Sequence, residues 1–216
     1  MAIQIQGSSG TIFEVDSNDK RAARQVIVGR GSAYCTSNIT GTIVAALGAN
    51  SSVFAMRLNP GSTTPAYIER IRLQFTTIVA FTTPVTAGRR LALFRGAGAA
   101  ASGGTAIAAA VRKDTTFGSN SQFDASNGGD MRIATTGALT VTGITFETAP
   151  IRLMTLTHVG AAGGHYETIW EFSTSENHPI VLQAGQLLAI RNPVAMDAAG
   201  TWTLGANVDW HEAPAF

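Results

Sequence analysis

Residues 201–210 read Thr201-Trp-Thr-Leu-Gly-Ala-Asn-Val-Asp-Trp210, and this stretch decides the fold class. Its apolar side chains alternate with polar or small ones and occupy a single parity: Trp202, Leu204, Ala206, Val208 and Trp210. Successive side chains of a strand point to opposite faces, so the pattern predicts a β-strand with one buried and one solvated face. Because the strand ends on a tryptophan, we expect a structural final strand that lies within the core.

The rest of the chain shows similar short apolar segments, separated by Gly, Pro, Asn and Asp. The pattern predicts about eight to ten strands and no convincing helix, which is typical of an antiparallel β-sandwich or barrel. The clearest of these predicted strands cover residues 42–47, 52–58, 67–77 and 166–174. The chain is therefore predicted to be all-β.

Residues 1–31 differ from the remainder of the chain. They contain short hairpin-like segments with little apolar content to form a core of their own. We therefore expect an extended N-terminal segment that acts as an anchoring arm, followed by one domain over residues 32–216. Within that domain, residues 96–129 form a long Gly-rich excursion. A structureless excursion of this length is expected to be functional or to be ordered by a neighbour.

The composition limits the classes of partner. Only 13% of the residues are charged, compared with about 25% in a typical soluble domain. This low charge favours a chain that covers part of its surface with copies of itself, the alternative being a neutral, hydroxyl-rich surface. The formal net charge is +1, so the sequence does not predict a nucleic-acid partner.

The single cysteine, Cys35, cannot form an intrachain disulfide or a thiolate metal cluster. It is expected to be a buried, unreactive thiol. We expect neither a signal peptide nor a membrane partner. The N-terminus has no basic segment followed by an apolar run, and no run reaches the roughly 20 apolar residues of a membrane helix.

Few residues of the sequence suggest a catalytic or metal-binding site. His165 and Glu167 share one face of a predicted strand, but a zinc site needs a third ligand. Oxygen-bearing side chains in a Gly-rich loop could bind calcium, although they lack the spacing of an EF-hand; these are Asp124, Ser126, Asn127 and Asp130. A solvated pair and an ordinary polar loop are the favoured interpretations. No motif context for a catalytic nucleophile is present, so we predict no enzyme activity and no cofactor.

Several segments together resemble a group of small virion-associated proteins of tailed bacteriophages. The order and spacing of these segments carry the resemblance: GTIFEVD (10–16), YIERIRLQF (67–75), GGTA (103–106), DMRIATTGALT (130–140), ETIWEFSTSE (167–176), HPIVLQAGQ (178–186), LAIRNPVAM (188–196) and AGTWTLGANVDWHEA (199–213). The resemblance implies a jelly-roll-like β-sandwich without enzymatic activity, located in the virion and assembled in the cytoplasm of the host bacterium. The resemblance does not indicate whether the protein lies on the capsid, at the neck or on the tail of the virion.

The predicted function is a capsid decoration protein that forms a homo-oligomer, expected to be a trimer, and binds the major capsid protein or another virion protein. The predicted interface residues are Phe13 and Val15 in the arm, and Arg70 and Arg72 on the polar face of the strand 67–77. The two arginines are expected either to meet acidic residues across a subunit boundary or to lie on a solvated face.

Two alternatives remain. One is a tail- or fibre-associated module that binds a receptor or a carbohydrate, although the tryptophans lie at predicted core positions rather than on a sugar-binding surface. The other is a cupin-like metalloenzyme on a similar fold. A cupin needs clustered histidines, and this chain scatters its four: His158, His165, His178 and His211.

Overall fold

The alternating segments of the sequence form β-strands. The computed structural model of the protein describes residues 4–6, 12–15, 23–26, 32–44, 46–82, 88–113, 119–157, 160–172, 178–197 and 199–213. The chain divides into two compact units, Met1–Gly31 and Ser32–Phe216. The first contains three antiparallel strands that pair in chain order: β1 (Gln4–Gln6), β2 (Ile12–Val15) and β3 (Ala23–Val26). An anchoring role for this unit stays a prediction.

Strands also dominate the second unit. They are β4 (Ser32–Ile39), β5 (Ser51–Arg57), β6 (Ala66–Val79), β7 (Arg90–Gly98), β8 (Thr105–Ala106), β9 (Val111–Arg112), β10 (Asp130–Ile133), β11 (Ile144–Phe146), β12 (Arg152–Thr155), β13 (His165–Glu171), β14 (Ile180–Leu182), β15 (Gln186–Asn192) and β16 (Thr201–Glu212). Among the described residues, the only helical element is a 3-10 turn at Ala125–Asn127.

These strands form two antiparallel sheets that pack against each other. Sheet I has the order β13-β6-β16-β4-β9, with β14 also beside β6. Sheet II has the order β11-β7-β15-β5-β10-β8, with β12 also beside β7. The predicted all-β antiparallel sandwich is confirmed.

The strand pairs are nested in the way that defines a jelly roll. Eight strands form the roll, in chain order β4, β5, β6, β7, β12, β13, β15 and β16; the first pairs with the last (β4 with β16), and the second with the seventh (β5 with β15). The third pairs with the sixth (β6 with β13) and the fourth with the fifth (β7 with β12). One long hairpin that rolls over on itself produces this order, and successive pairs alternate between the two sheets.

The core lies between the sheets and is rich in aromatic side chains. The largest fully buried ones are Trp202, Trp210, Tyr34, Phe54, Phe75, Phe123 and Phe172. The rings of Phe75 and Trp202 stack with centroids 5.0 Å apart. Burial of each large apolar side chain contributes about 1.5–3 kcal/mol, so this layer supplies much of the stability of the fold.

The final strand, β16, lies in the interior of sheet I between β6 and β4. From Trp202 to Val208, buried and partly exposed residues alternate as the sequence predicts. The register against β6 shifts between Asp209 and Trp210, and both residues are buried. Asp209 lies opposite Arg70 and Trp210 opposite Ile68, so the extra residue of this β-bulge is Glu69 of β6, and both Glu69 and Arg70 face away from the core.

The excursion over residues 96–129, predicted to be irregular, instead links the two sheets. It contains β8, which pairs with β10 at the edge of sheet II, and β9, which pairs with β4 at the edge of sheet I. The residues that follow β9 in the described part, 119–129, contact the end of β16. Contacts within the chain therefore order the described part of this excursion.

Candidate interaction surfaces

The outer face of sheet I carries a charged cleft. Its position follows from the registers, which place Glu171, Arg70 and Asp209 side by side on β13, β6 and β16. The cleft has a volume of about 280 Å³ and is lined by Glu69, Arg70, Lys113, Glu171 and Asp209. Three carboxylates and two cations thus share one open concavity.

Asp209 joins the two cations of the charged cleft. Its Oδ2 accepts a hydrogen bond from Arg70 Nε at 2.7 Å, and its Oδ1 pairs with Lys113 Nζ. Burial disfavours the ionised carboxylate, but the hydrogen bonds and charges of Lys113 and Arg70 outweigh it and lower the pKa of Asp209. Asp209 is therefore ionised at neutral pH and holds both cations in place.

An aromatic pair lies next to the cleft. The rings of Tyr67 and His211 stack with centroids 4.8 Å apart and planes within 5°. The His211 Nδ1 lies 2.8 Å from the Glu69 Oε1, a cleft carboxylate. This arrangement places a flat ring surface beside hydrogen-bonding groups.

A second ion pair lies further along the same face. Arg72 Nε donates to Glu167 Oε1, and this hydrogen bond is the main cause of the lowered pKa of Glu167. His165 Nδ1 contacts Thr76 Oγ1 at 3.2 Å. The predicted His165 and Glu167 pair therefore shares a face, but each side chain has a protein partner. Among the described residues, no group of three or more His, Cys, Asp or Glu is placed to hold a metal ion.

The outer face of sheet II has a different character, and we call it the arginine face. Four arginines lie on it: Arg57, Arg90, Arg132 and Arg191. The central row of this face places Ala55 and Ala189 side by side, with Arg132 at one end and Phe94 at the other. The floor of the arginine face is thus built from small and apolar residues, flanked by guanidinium groups.

Arg191 is held on this face by aromatic rings. Its guanidinium carbon lies 4.0 Å from the ring centroid of Phe146 and 5.1 Å from that of Phe94. Its Nη2 donates to the backbone oxygen of Asn50 at 2.7 Å. Burial lowers the pKa of Arg191. Cation–π contact and one carbonyl therefore stabilise a guanidinium that has no acidic partner among the described residues.

A buried carboxylate connects the excursion to the last strand. Glu212 is 6% exposed, and it accepts hydrogen bonds from Ser121 Oγ at 2.6 Å, Gln122 N at 3.0 Å and Trp210 Nε1 at 3.1 Å. Burial raises the pKa of Glu212, and the negative charge of Asp124 adds to this effect. Glu212 therefore fixes the segment 119–129 against β16 and controls the position of that part of the surface.

We expect the stabilising effect of Glu212 to depend on pH. A carboxyl whose pKa is raised by folding stabilises the protein fully below its unfolded pKa, and this contribution is lost as the pH rises through the folded pKa. In Glu212→Gln the group does not titrate. The stability advantage of the wild type over Glu212→Gln should therefore shrink as the pH rises above about 4.3, and then level off. Urea unfolding of both proteins across this range measures the difference; an advantage that grows with pH would contradict the raised pKa.

The predicted interface arginines have partners within the chain. Arg70 pairs with Asp209 and Arg72 with Glu167, so the acidic residues expected across a subunit boundary are supplied by neighbouring strands of the same sheet. A location of Arg70 and Arg72 at an interface stays a prediction. Phe13 and Val15 lie in β2, and their side chains are outside the described part of the chain.

The other predicted ligands also make protein contacts. Asp124 Oδ1 accepts from Ala110 N at 2.7 Å, and Asp130 Oδ1 accepts from Arg132 Nε at 2.9 Å. Asn127 donates to the backbone oxygen of Ser121. His178 is exposed, and His158 lies outside the described residues. Asp124, Asn127 and Asp130 thus use their side chains for hydrogen bonds within the protein.

Sequence reasoning missed the arginine face. A weak signal was present, because Arg57 and Arg191 directly follow the apolar runs of β5 and β15. Such a position is equally typical of a solvated strand end. Only the pairing of β5 with β15 and β10 shows that these arginines share one surface.

The chain matches no protein-family model and no curated protein. Within the described ranges, no helix has the length and apolar character needed to cross a membrane.

Proposed function

We propose that the protein is a non-enzymatic structural protein of a tailed-bacteriophage virion, which associates with copies of itself and decorates the capsid. The observation that carries this proposal is the division of the chain into a three-stranded unit, Met1–Gly31, and a jelly roll, Ser32–Phe216. A small sheet of three short strands has little core of its own, so it gains stability from a surface on which it can lie. Residues 1–31 act as the anchor and the jelly roll as the exposed body.

Exposed apolar side chains support self-association. Ile39, Val44, Ile78 and Val79 are between 47% and 66% exposed. The registers bring them to one end of sheet I, because Val79 lies opposite Thr201, and Ile43 bridges Trp202. Clustered exposed apolar side chains are typical of contact surfaces between proteins. This end of sheet I is the proposed contact between copies, and a trimer is the expected assembly.

Deletion of residues 1–31 tests the proposal. We expect the truncated protein to fold, because the jelly roll is a separate compact unit. Its occupancy on virions that lack the protein should fall at least about tenfold relative to the full chain, because the anchoring contacts are removed. Occupancy is measured by quantitative electrophoresis of reconstituted particles, and native mass spectrometry reports the oligomer.

The control for this experiment is the thermal unfolding of the truncated protein, which must stay cooperative. Attachment of a folded, truncated protein at full occupancy would refute the anchoring role. A full-length chain that is a stable monomer and does not bind particles would refute the proposal as a whole.

The charged cleft favours a second candidate, a tail- or fibre-associated module that binds a receptor glycan. The Tyr67–His211 stack offers a ring surface, and Glu69 offers a carboxylate for sugar hydroxyls. Saturable binding on a glycan array that is lost in Tyr67→Ala would favour this candidate over capsid decoration.

A further inference from the structure

The arginine face carries more positive charge than its own carboxylates neutralise. Among the described residues, the registers place four arginines and one carboxylate, Asp130, on this face. Asp130 accepts a hydrogen bond from Arg132 at 2.9 Å and lies directly opposite Arg57. One carboxylate therefore serves two guanidinium groups, and the face retains a net positive charge.

The arginines are also incompletely hydrogen-bonded. The Nε atoms of Arg57 and Arg90 are buried and have no hydrogen-bond partner within the described part of the chain. Among the described residues, the backbone oxygen of Asn50 is the one acceptor found for Arg191. A buried donor without an acceptor is unfavourable, and a guanidinium is the side chain best shaped to pair with a carboxylate through two parallel hydrogen bonds. The chemistry of this face thus calls for carboxylate acceptors.

The described carboxylates of a second copy would supply few of these acceptors. On the outer face of sheet I, Asp209 and Glu167 are already paired with arginines, and Glu69 is paired with His211. Glu147 pairs with Arg95. Of the described carboxylates on the outer face of sheet I, Glu171 is the one for which no ion pair is found. Among the described carboxylates of that sheet, a second copy thus offers Glu171 alone to four arginines, and an acidic surface of another protein matches the charge of the arginine face better.

We propose that the arginine face binds a partner protein, distinct from this chain, through carboxylate side chains of that partner. Asp and Glu side chains on an extended or flat surface would lie over the floor formed by Ala55 and Ala189, and would pair with Arg57 and Arg191. This proposal rests on the proposed function for one point, the identity of the partner as a virion component. It adds which face of the protein binds the partner, and which side chains of the partner are bound.

The test uses the full chain and a fluorescently labelled oligo-glutamate peptide as the probe. Fluorescence anisotropy at about 50 mM salt, where screening of surface charge is limited, measures the affinity. We expect the double variant Arg57→Gln/Arg191→Gln to bind about tenfold more weakly than the wild type, because two charge-assisted pairs are removed. Arg112→Gln/Arg152→Gln is the matched control, because it removes two positive charges at positions off the arginine face, and it should bind like the wild type.

Each other result overturns the proposal. Equal losses in the double variant and in Arg112→Gln/Arg152→Gln, which removes the same number of charges, would mean that the peptide responds only to net charge. Tighter binding of inorganic polyphosphate or duplex DNA at equal probe charge would assign the face to phosphate rather than to carboxylate. If the wild-type protein sediments as an oligomer and the double variant as a smaller species, a second copy of the chain occupies the arginine face. The thermal unfolding of Arg57→Lys/Arg191→Lys, which retains both charges, separates loss of binding from loss of folding.

The result of the peptide-binding experiment does not depend on the result of deleting residues 1–31. A loss of peptide binding with normal attachment to particles would leave the anchoring role intact and would locate the carboxylate partner elsewhere in the virion. Normal peptide binding by a full-length chain that does not attach to particles would refute the virion role. The arginine face would still be identified as a surface that binds carboxylates.

Discussion

Trp210→Ala is expected to lower the free energy of unfolding by about 3–5 kcal/mol, as for other buried large aromatic residues. Trp210 is 1% exposed. Its ring meets Phe123 edge-on at 5.3 Å and stacks on Tyr34 at 5.8 Å, so truncation leaves a cavity between β4, β16 and the excursion. Urea unfolding followed by tryptophan fluorescence and circular dichroism measures the change.

Trp210→Phe is the matched control for this prediction. It keeps an aromatic ring in the core but removes the indole N–H that donates to Glu212 at 3.1 Å. We expect a smaller loss, of about 1–3 kcal/mol, the usual effect of leaving a buried acceptor one hydrogen bond short. A loss below about 1 kcal/mol in Trp210→Ala would mean that the ring does not contribute to the core.

Gly129→Ala is the second substitution with a large expected effect. A Cβ at this position would lie 2.3 Å from the backbone oxygen of Gln122 and 2.4 Å from the backbone carbon of Phe123. Because both contacts are to backbone, the segment 119–129 must move, which would disturb its contact with Glu212. We expect a loss of at least about 3 kcal/mol, at the upper end of the range for overpacking, measured by urea unfolding.

Gly137→Ala is the control for Gly129→Ala. A Cβ at Gly137 would meet no atom within 4 Å. The substitution should be neutral or stabilising by about 0.4–1 kcal/mol, since alanine restricts the unfolded chain more than glycine does. Similar losses in the two variants would show that backbone contact around residue 129 is not the cause.

The strand at residues 201–210 was predictable because its signal is local. A period of two in apolar residues predicts both the strand and its buried face, and the burial of Trp202, Leu204, Ala206 and Val208 confirms it. The bulge at Glu69 in β6 was not predictable, because a bulge depends on the register between β6 and β16. The alternation placed Asp209 on the solvated face, but it could not place Arg70 and Lys113 beside Asp209, because both cations belong to distant parts of the chain.

The predicted strand at residues 42–47 is wrong for the part that the structure describes. Its apolar residues fit a strand, but its backbone groups bond to separate segments: Ile43 N to Trp202 O, Val44 N to Thr136 O, and Ala46 N to Asp197 O. A strand needs a continuous ladder of hydrogen bonds to a neighbouring strand, whereas Ile43 forms an isolated bridge with Trp202 and Ala46 has a positive φ of 64°. Whether a neighbouring strand is available to pair with a segment depends on the fold, and the local sequence pattern does not encode it.

The candidate surfaces were only partly visible in the sequence. The alternation of the strand 67–77 placed Arg70 and Arg72 on one polar face, and the structure agrees. Their partners Asp209 and Glu167 are 139 and 95 residues away in the chain, so no local pattern could identify them. The arginine face combines residues from separate strands in the same way.

The sequence by itself determined that the chain forms strands, which faces of them are buried, and that residues 1–31 differ from the rest. These properties follow from side-chain periodicity and composition, which act over a few residues. Only the tertiary structure decided the nested order of the strands, the bulge beneath the charged cleft and the grouping of four arginines on sheet II. Those features arise where distant strands pair, because cross-strand neighbours are set by register rather than by distance along the chain.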